Sequence, residues 1–269
     1  MRLPILLAIA VLVAPRGQDP ELKKFELVLD PEKKIKMEFV LIPAGTFTMG
    51  DEKGDPDETP HEVTLTREFW MQTTETTNAQ WKAVMGAVPS DRKDGDLPVH
   101  CVNWKESRDF MAKLNEKLKD QLKGKTAALP TEAQWEYAAR AGSKGKWCFG
   151  DDKTKLAEYA WFGDSAYYGE SPHGMHPVGQ KKPNAWGLYD MHGNMFEWCE
   201  DKYGEYPLRK VTDPIGAEGD TGLMVLRGGS WLNDARATRS AKRIRTSWRN
   251  HWGGDRDPVY GLRVVLRPK

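Results

Sequence analysis

Three cysteines in 269 residues, Cys101, Cys148 and Cys199, are too few to staple a small disulfide fold, and none stands in a Cys-x-x-Cys pair. Zinc ribbons and dithiol redox motifs are therefore unsupported, although one disulfide and one leftover thiol remain compatible with the count. An excess of either charge is also missing, because 40 Lys and Arg face 39 Asp and Glu. A net charge of +1 gives no global attraction to nucleic acid or anionic membranes, so any specificity must be local. Internal repeats, low-complexity tracts and a linker-like middle are absent, and the length suits one large domain. No apolar run is long enough to span a bilayer. The run at residues 3–13, behind Arg2, has the length of a signal-peptide core, with cleavage expected between residues 14 and 18. No cysteine follows that run to carry a lipid.

Aromatic residues and glycine are abundant, with 11 Trp and 25 Gly. That pairing predicts a loop-rich α+β fold whose interior is filled by rings rather than by aliphatic helix stripes. Three helices are marked by reciprocal caps: Thr77 with Gln80, Asn103 with Glu106, and Thr131 with Gln134. Gly86, Gly124 and Gly142 stand where these helices should end. The middle helix places Trp104, Ser107, Met111, Leu114, Leu118 and Leu122 on one face. Residues 37–42 and 46–49, punctuated by Pro43 and Gly45, read as a hairpin. Residues 62–66, 224–232 and 260–266 read as further strands, and the acidic stretch 51–61 as a solvated turn.

The chain is organised around residues 184 to 199, Asn-Ala-Trp-Gly-Leu-Tyr-Asp-Met-His-Gly-Asn-Met-Phe-Glu-Trp-Cys. This stretch is too rich in Gly, Asn and Asp for a regular element and too aromatic for a solvated loop. Its carboxylates, Asp190 and Glu197, flank Gly193 and Asn194, and a curled backbone with two carboxylates suits a hard cation such as Ca²⁺. The stretch closely resembles the signature of the sulfatase-modifying-factor family, of which formylglycine-generating enzymes are members. The resemblance continues in the blocks at 39–50, 129–140, 227–231 and 261–263.

The resemblance implies a single domain over residues 37–269, after a signal peptide at 1–17 and a lead-in at 18–36. It also implies a fold distantly similar to C-type lectins. A structural calcium site would use Asp190 and Glu197 with the carbonyls of Gly193 and Met195. A second family calcium site, in the region of Glu158, Tyr159 and Glu170, has no clear motif here. The copper-dependent members carry two cysteines after the Gly-Gly-Ser-aromatic block, whereas this chain has Asn233 and Thr238 at those positions. Amide and hydroxyl oxygens do not hold Cu(I), so copper oxidase chemistry is disfavoured.

The expectation is an exported, periplasmic or extracellular, monomeric binding or accessory module with a ligand groove near Trp231, Asn233 and Arg236. Its partner would be a peptide, glycan or small molecule. An enzyme that tailors such a molecule by oxidation is the alternative. His173 and His176, in His-x-x-His spacing, lack the flanking motif of a zinc site. The basic cluster Arg236, Arg239, Lys242, Arg243, Arg245 and Arg249, interleaved with Trp248 and Trp252, is read as structural arginines and a solvated face rather than as a nucleic-acid surface.

Overall fold

A computed structural model describes residues 22–163, 174–217, 222–247 and 256–269. The signal-peptide segment, His173, Glu170, Arg249, Trp248 and Trp252 lie outside the described residues.

In chain order the strands are β1 (Lys24–Asp30), β2 (Ile35–Ile42), β3 (Gly45–Met49), β4 (His61–Leu65) and β5 (Phe69–Gln72). Helices α1 (Asn78–Met85), α2 (Trp104–Lys117) and the one-turn α3 (Lys119–Leu122) follow, then β6 (Lys125–Ala128) and α4 (Glu132–Arg140). The chain closes with β7 (Phe196–Lys202), β8 (Val211–Thr212), β9 (Leu223–Arg227), β10 (Arg243–Ser247), β11 (Tyr260–Gly261) and β12 (Val265–Pro268). Three sheets result, in the orders β1-β2-β5-β12-β6, β10-β9-β7-β11 and β3-β4-β8.

All three caps form as reciprocal boxes, each side chain accepting from the third helical N–H while that residue reaches back. The middle helix stops earlier than its apolar stripe suggests: Leu118 leaves helical geometry at φ −115°, and the stripe is completed by α3 before Lys123 turns left-handed. The strand at 37–42 does not form a hairpin with 46–49. It pairs antiparallel with β1 and β5, whereas β3 pairs with β4 in a different sheet. Pro43 and Gly45 therefore mark a change of sheet, not a reversal. Residues 24–30, read as lead-in, are the edge strand of the largest sheet, with Leu27 and Leu29 buried. The stretch 224–232 ends as a strand at Arg227, where Gly228 and Gly229 take left-handed geometry, and 260–266 splits between two sheets as β11 and β12.

Alternation in β2 feeds two cores. Met37 and Phe39 pack toward α1 and α2, with Trp81 and Phe110 stacked at 4.9 Å. Val40 and Ile42 turn to the other face, against Met71, Val265 and the nearly buried α4. A strand buried on both faces reads as a continuous apolar run, which is how 39–42 appears in the sequence. Trp135 and Trp198 are the bulkiest fully buried side chains, so rings do fill the interior. All three cysteines are free thiols.

Candidate functional site

The organising stretch passes from a tight turn at Asp190–Asn194 into β7, and its geometry is set by backbone strain and close approach. Asp190 and Asn194 both adopt left-handed φ, 59° and 63°, which short polar side chains tolerate best. A Cβ on Gly193 would lie 2.2 Å from the carbonyl oxygen of Trp161, so only glycine fits. Asn194 N–H donates to that same carbonyl at 2.7 Å.

Glu197, on β7, is buried against Arg263. Arg263 Nε donates to both carboxylate oxygens at 3.0 Å and Nη2 donates to Oε1 at 2.7 Å, while Trp135 Nε1 donates to Oε2 at 2.7 Å. Three N–H groups make these four contacts, and Glu197 is the counter-ion of Arg263. Arg263 spends its remaining donors on the carbonyls of Gln72 and Tyr189.

Two more carboxyls crowd this arginine. Glu75 accepts from Asn194 Nδ2 at 2.8 Å and Met195 N at 2.9 Å, and burial, then the charges of Asp190 and Glu197, push its pKa well up. Asp190 Oδ2 accepts from Gly179 N at 2.7 Å, but its buried Oδ1 has no partner. Burial, partly offset by that hydrogen bond and by Arg263, raises the Asp190 carboxyl to about 6. The expected metal set therefore lies in one turn, but only Asp190 keeps a free carboxylate oxygen; the Gly193 carbonyl already accepts Met195 N–H at 2.9 Å. Glu75 escaped the sequence reading. It stands in a run of threonines two residues before a helix cap, which carries no ligand signature.

On the far side of Asn194, its carbonyl accepts Trp231 N–H at 3.0 Å. Trp231 packs with Leu97, Met175 and Met195, and Trp161 stacks on His176 at 3.6 Å under Lys181 Nζ. The indole Nε1 atoms of Trp161 and Trp231 are both buried without an acceptor. Asn233 joins this wall through its carbonyl, which accepts Gly163 N–H at 2.8 Å, and its side chain faces Ser230. Arg236 does not join it. Its exposed side chain pairs with Asp234 at 3.1 Å.

Thr238, at the second copper position of the resemblance, is buried, accepting from Trp147 Nε1 and donating to Ala235 O, each at 3.0 Å. Behind it His192 donates through Nδ1 to the Thr238 carbonyl at 2.9 Å and accepts Cys148 N–H at Nε2, a neutral ring whose pKa burial pushes down to about 4. Burial pushes the Cys148 thiol up to about 12, so no thiolate stands here at neutral pH.

Part of the basic cluster turns inward, while Arg236 and Arg245 stay exposed. Arg239 grips Glu58 at 2.6 and 2.9 Å, Arg243 grips Glu132 at 2.7 and 2.8 Å, and Lys242 meets Asp55. Arg227 pairs with buried Glu136. The acidic stretch 51–61 is a largely exposed turn, as expected, but Glu58 is its buried anchor.

The chain is 31% identical over 163 residues to a formylglycine-generating enzyme of Streptomyces coelicolor, covering 57% of this chain and 48% of that protein. It is 34% identical over 164 residues to the inactive C-alpha-formylglycine-generating enzyme 2 of Bos taurus, covering 58% and 46%. It spans about half the length of these curated relatives. Among solved structures, Treponema denticola variable protein 1 superposes with a TM-score of 0.79 at 29% identity, over 93% of this chain and 100% of that one. The loop-rich mixture of helix and sheet is the formylglycine-generating-enzyme fold, consistent with a C-type-lectin-like architecture. The model of the sulfatase-modifying factor enzyme 1-like domain matches residues 24–268, and the chain belongs to that family.

Proposed function

We propose that this chain is an exported, monomeric binding or accessory module of its family, and not a copper oxidase. The observation that carries the reading is the pair of buried indole donors, Trp161 and Trp231, left without acceptors on either side of Asn194. Buried donors of this kind are costly unless an acceptor completes them. A carbonyl- or carboxylate-bearing peptide, glycan or small molecule supplies such acceptors, while Trp231 and Asn233 contribute the wall. The copper positions support the reading, because the Asn233 and Thr238 side chains are hydrogen-bonded to protein neighbours and offer no sulfur. The inactive relative of Bos taurus supports it further.

Calcium belongs to the same reading. Three carboxyls around Arg263, with an unpartnered oxygen on Asp190, fit a dication held by Asp190 and the Gly193 and Met195 carbonyls. Its contribution there is charge neutralisation and a fixed turn. Export rests on the apolar run at 3–13.

The second reading, oxidative tailoring of a peptide or small molecule, is favoured by the identity to the Streptomyces coelicolor enzyme. The test incubates the purified chain with Cu(I), oxygen and cysteine-containing peptides, and follows copper retention and aldehyde formation with an aminooxy probe. No aldehyde, together with saturable quenching of tryptophan fluorescence by an oligosaccharide or peptide that Trp231→Phe abolishes, is the expected result. Aldehyde formation overturns the binding-module reading.

A further inference from the structure

Asp91, His100 and Cys101 come together on the connection between α1 and α2. The loop is held in place before any ligand arrives. Ser90 Oγ accepts His100 N–H at 2.9 Å and lies 2.7 Å from Asn78 Oδ1. Cys101 N–H reaches the Asp257 carbonyl, and Cys101 is kept at φ 56°, a left-handed geometry rare for cysteine.

The protons on His100 carry the argument. Its side chain is fully buried, and Nδ1 lies 3.1 Å from the Pro98 carbonyl. A carbonyl only accepts, so Nδ1 bears hydrogen and a neutral ring presents a bare lone pair at Nε2. Nε2 is in direct contact with Asp91 Oδ1, which also accepts Arg92 N–H at 2.7 Å. Two acceptors face one another, and the direct contact between them is bridged by a proton that a metal ion can replace, with the Cys101 sulfur alongside as a third ligand atom. One ligand atom each from Asp91, His100 and Cys101 lies within 4.8 Å of the other two. A tetrahedral zinc ion, with bonds of about 2.0–2.3 Å, sets its ligands roughly 3.3–3.8 Å apart, a small adjustment for the exposed Asp91 carboxylate. A backbone carbonyl orienting the far nitrogen of a histidine is the usual support for a metal-binding imidazole. Among the described residues the other three-residue group of suitable spacing, Asp55, Asp57 and Glu58, offers oxygen alone and is tied to Arg239 and Lys242.

The geometry points to a site for a borderline-soft divalent cation of the zinc class, held by the Asp91 carboxylate, His100 Nε2 and the Cys101 thiolate, with a solvent-exposed fourth position. Uptake releases the Cys101 thiol proton, and any proton held between His100 and Asp91, to solvent. The charges facing the site are Arg92, Arg256 and Asp257; Arg92 lies near Asp94, and Arg256 pairs with Glu106.

The full chain is titrated with Co²⁺ in excess Ca²⁺, so that hard oxygen sites are already filled. The expected result is one Co²⁺ per chain, a thiolate-to-cobalt charge-transfer band in the near ultraviolet, and displacement by Zn²⁺. Cys101→Ser removes the band, and Asp91→Asn weakens Zn²⁺ binding at least about tenfold, both with unchanged far-ultraviolet dichroism. A wild-type chain without the band, or a Cys101→Ser variant that keeps it, overturns the site. A His100 ring that nuclear magnetic resonance shows doubly protonated and unmoved by Zn²⁺ overturns it as well.

Discussion

Asp190→Asn separates the energetics of the central turn from its proposed ligand. The wild-type carboxyl is raised from 3.8 to about 6, chiefly by burial. At neutral pH that difference corresponds to about 3 kcal/mol of cost for holding the charge in the native state. Asparagine removes the charge and keeps the acceptor for Gly179 N–H, but its amide group takes the place of the unpartnered Oδ1 and strands a donor at about 1–2 kcal/mol. The net expectation in chelator at pH 8 is a variant more stable than wild type by about 1–2 kcal/mol. Calcium inverts the order. At a hundredfold excess over its dissociation constant a ligand adds about 2.7 kcal/mol to the protein that binds it, and the variant lacks the charge to do so. The pH profile adds a check. Between about pH 4 and 6 the native carboxyl holds a proton that the unfolded chain has lost, so in chelator the group's contribution to stability falls as pH rises through that window. Urea denaturation with and without calcium measures all three. A variant less stable than wild type in chelator refutes the charge-burial argument, and an equal response of both proteins to calcium refutes the ligand assignment.

Glu136→Gln should cost about 3–5 kcal/mol in urea denaturation, because it leaves Arg227 and Arg140 buried without their shared carboxylate. Burial opposes the Glu136 charge, but the two arginines overcome it and hold the pKa below 4.5. Its contribution is complete above pH 4.5 and is lost as pH falls through the lower native value, which acid titration of the wild type against this variant resolves. Gly193→Ala forces a methyl against the Trp161 carbonyl and should lose at least about 3 kcal/mol or fail to fold, read as melting temperature and soluble yield. Thr77→Ala removes one half of a capping box and should cost about 1 kcal/mol with no change in calcium response.

Local chemistry was legible in the sequence and long-range pairing was not. The three capping boxes were readable because cap and partner stand three residues apart, and each forms as expected. Sheet membership is set by partners far along the chain, which is why β2 and β3 looked like a hairpin yet lie in different sheets. The same holds at the site. Asp190, Gly193 and Glu197 were visible as a turn, but nothing near Glu197 announces that Arg263 pairs with it, or that Glu75 arrives from about a hundred and twenty residues upstream. The basic run at 236–245 was legible as a mix of structural arginines and solvated face, but which arginines turn inward was not, because the partners of Arg239 and Arg243, Glu58 and Glu132, are more than a hundred residues away.

Those arginine pairs have a consequence for biosynthesis. Glu58, Glu75, Glu132, Glu136 and Glu197 occupy the interior, while their cationic partners are encoded at Arg227, Arg239, Arg243 and Arg263. β12, an inner strand of the largest sheet, is encoded after both of its neighbours, β5 and β6. A nascent chain stopped before residue 227 has Arg140 for Glu136 but lacks the arginine partners of Glu58, Glu132 and Glu197, and its largest sheet has a gap beside β5. The first 226 residues therefore hold most of the buried carboxylates without the arginines that neutralise them, and stabilising collapse depends on the segment from Arg227 to β12.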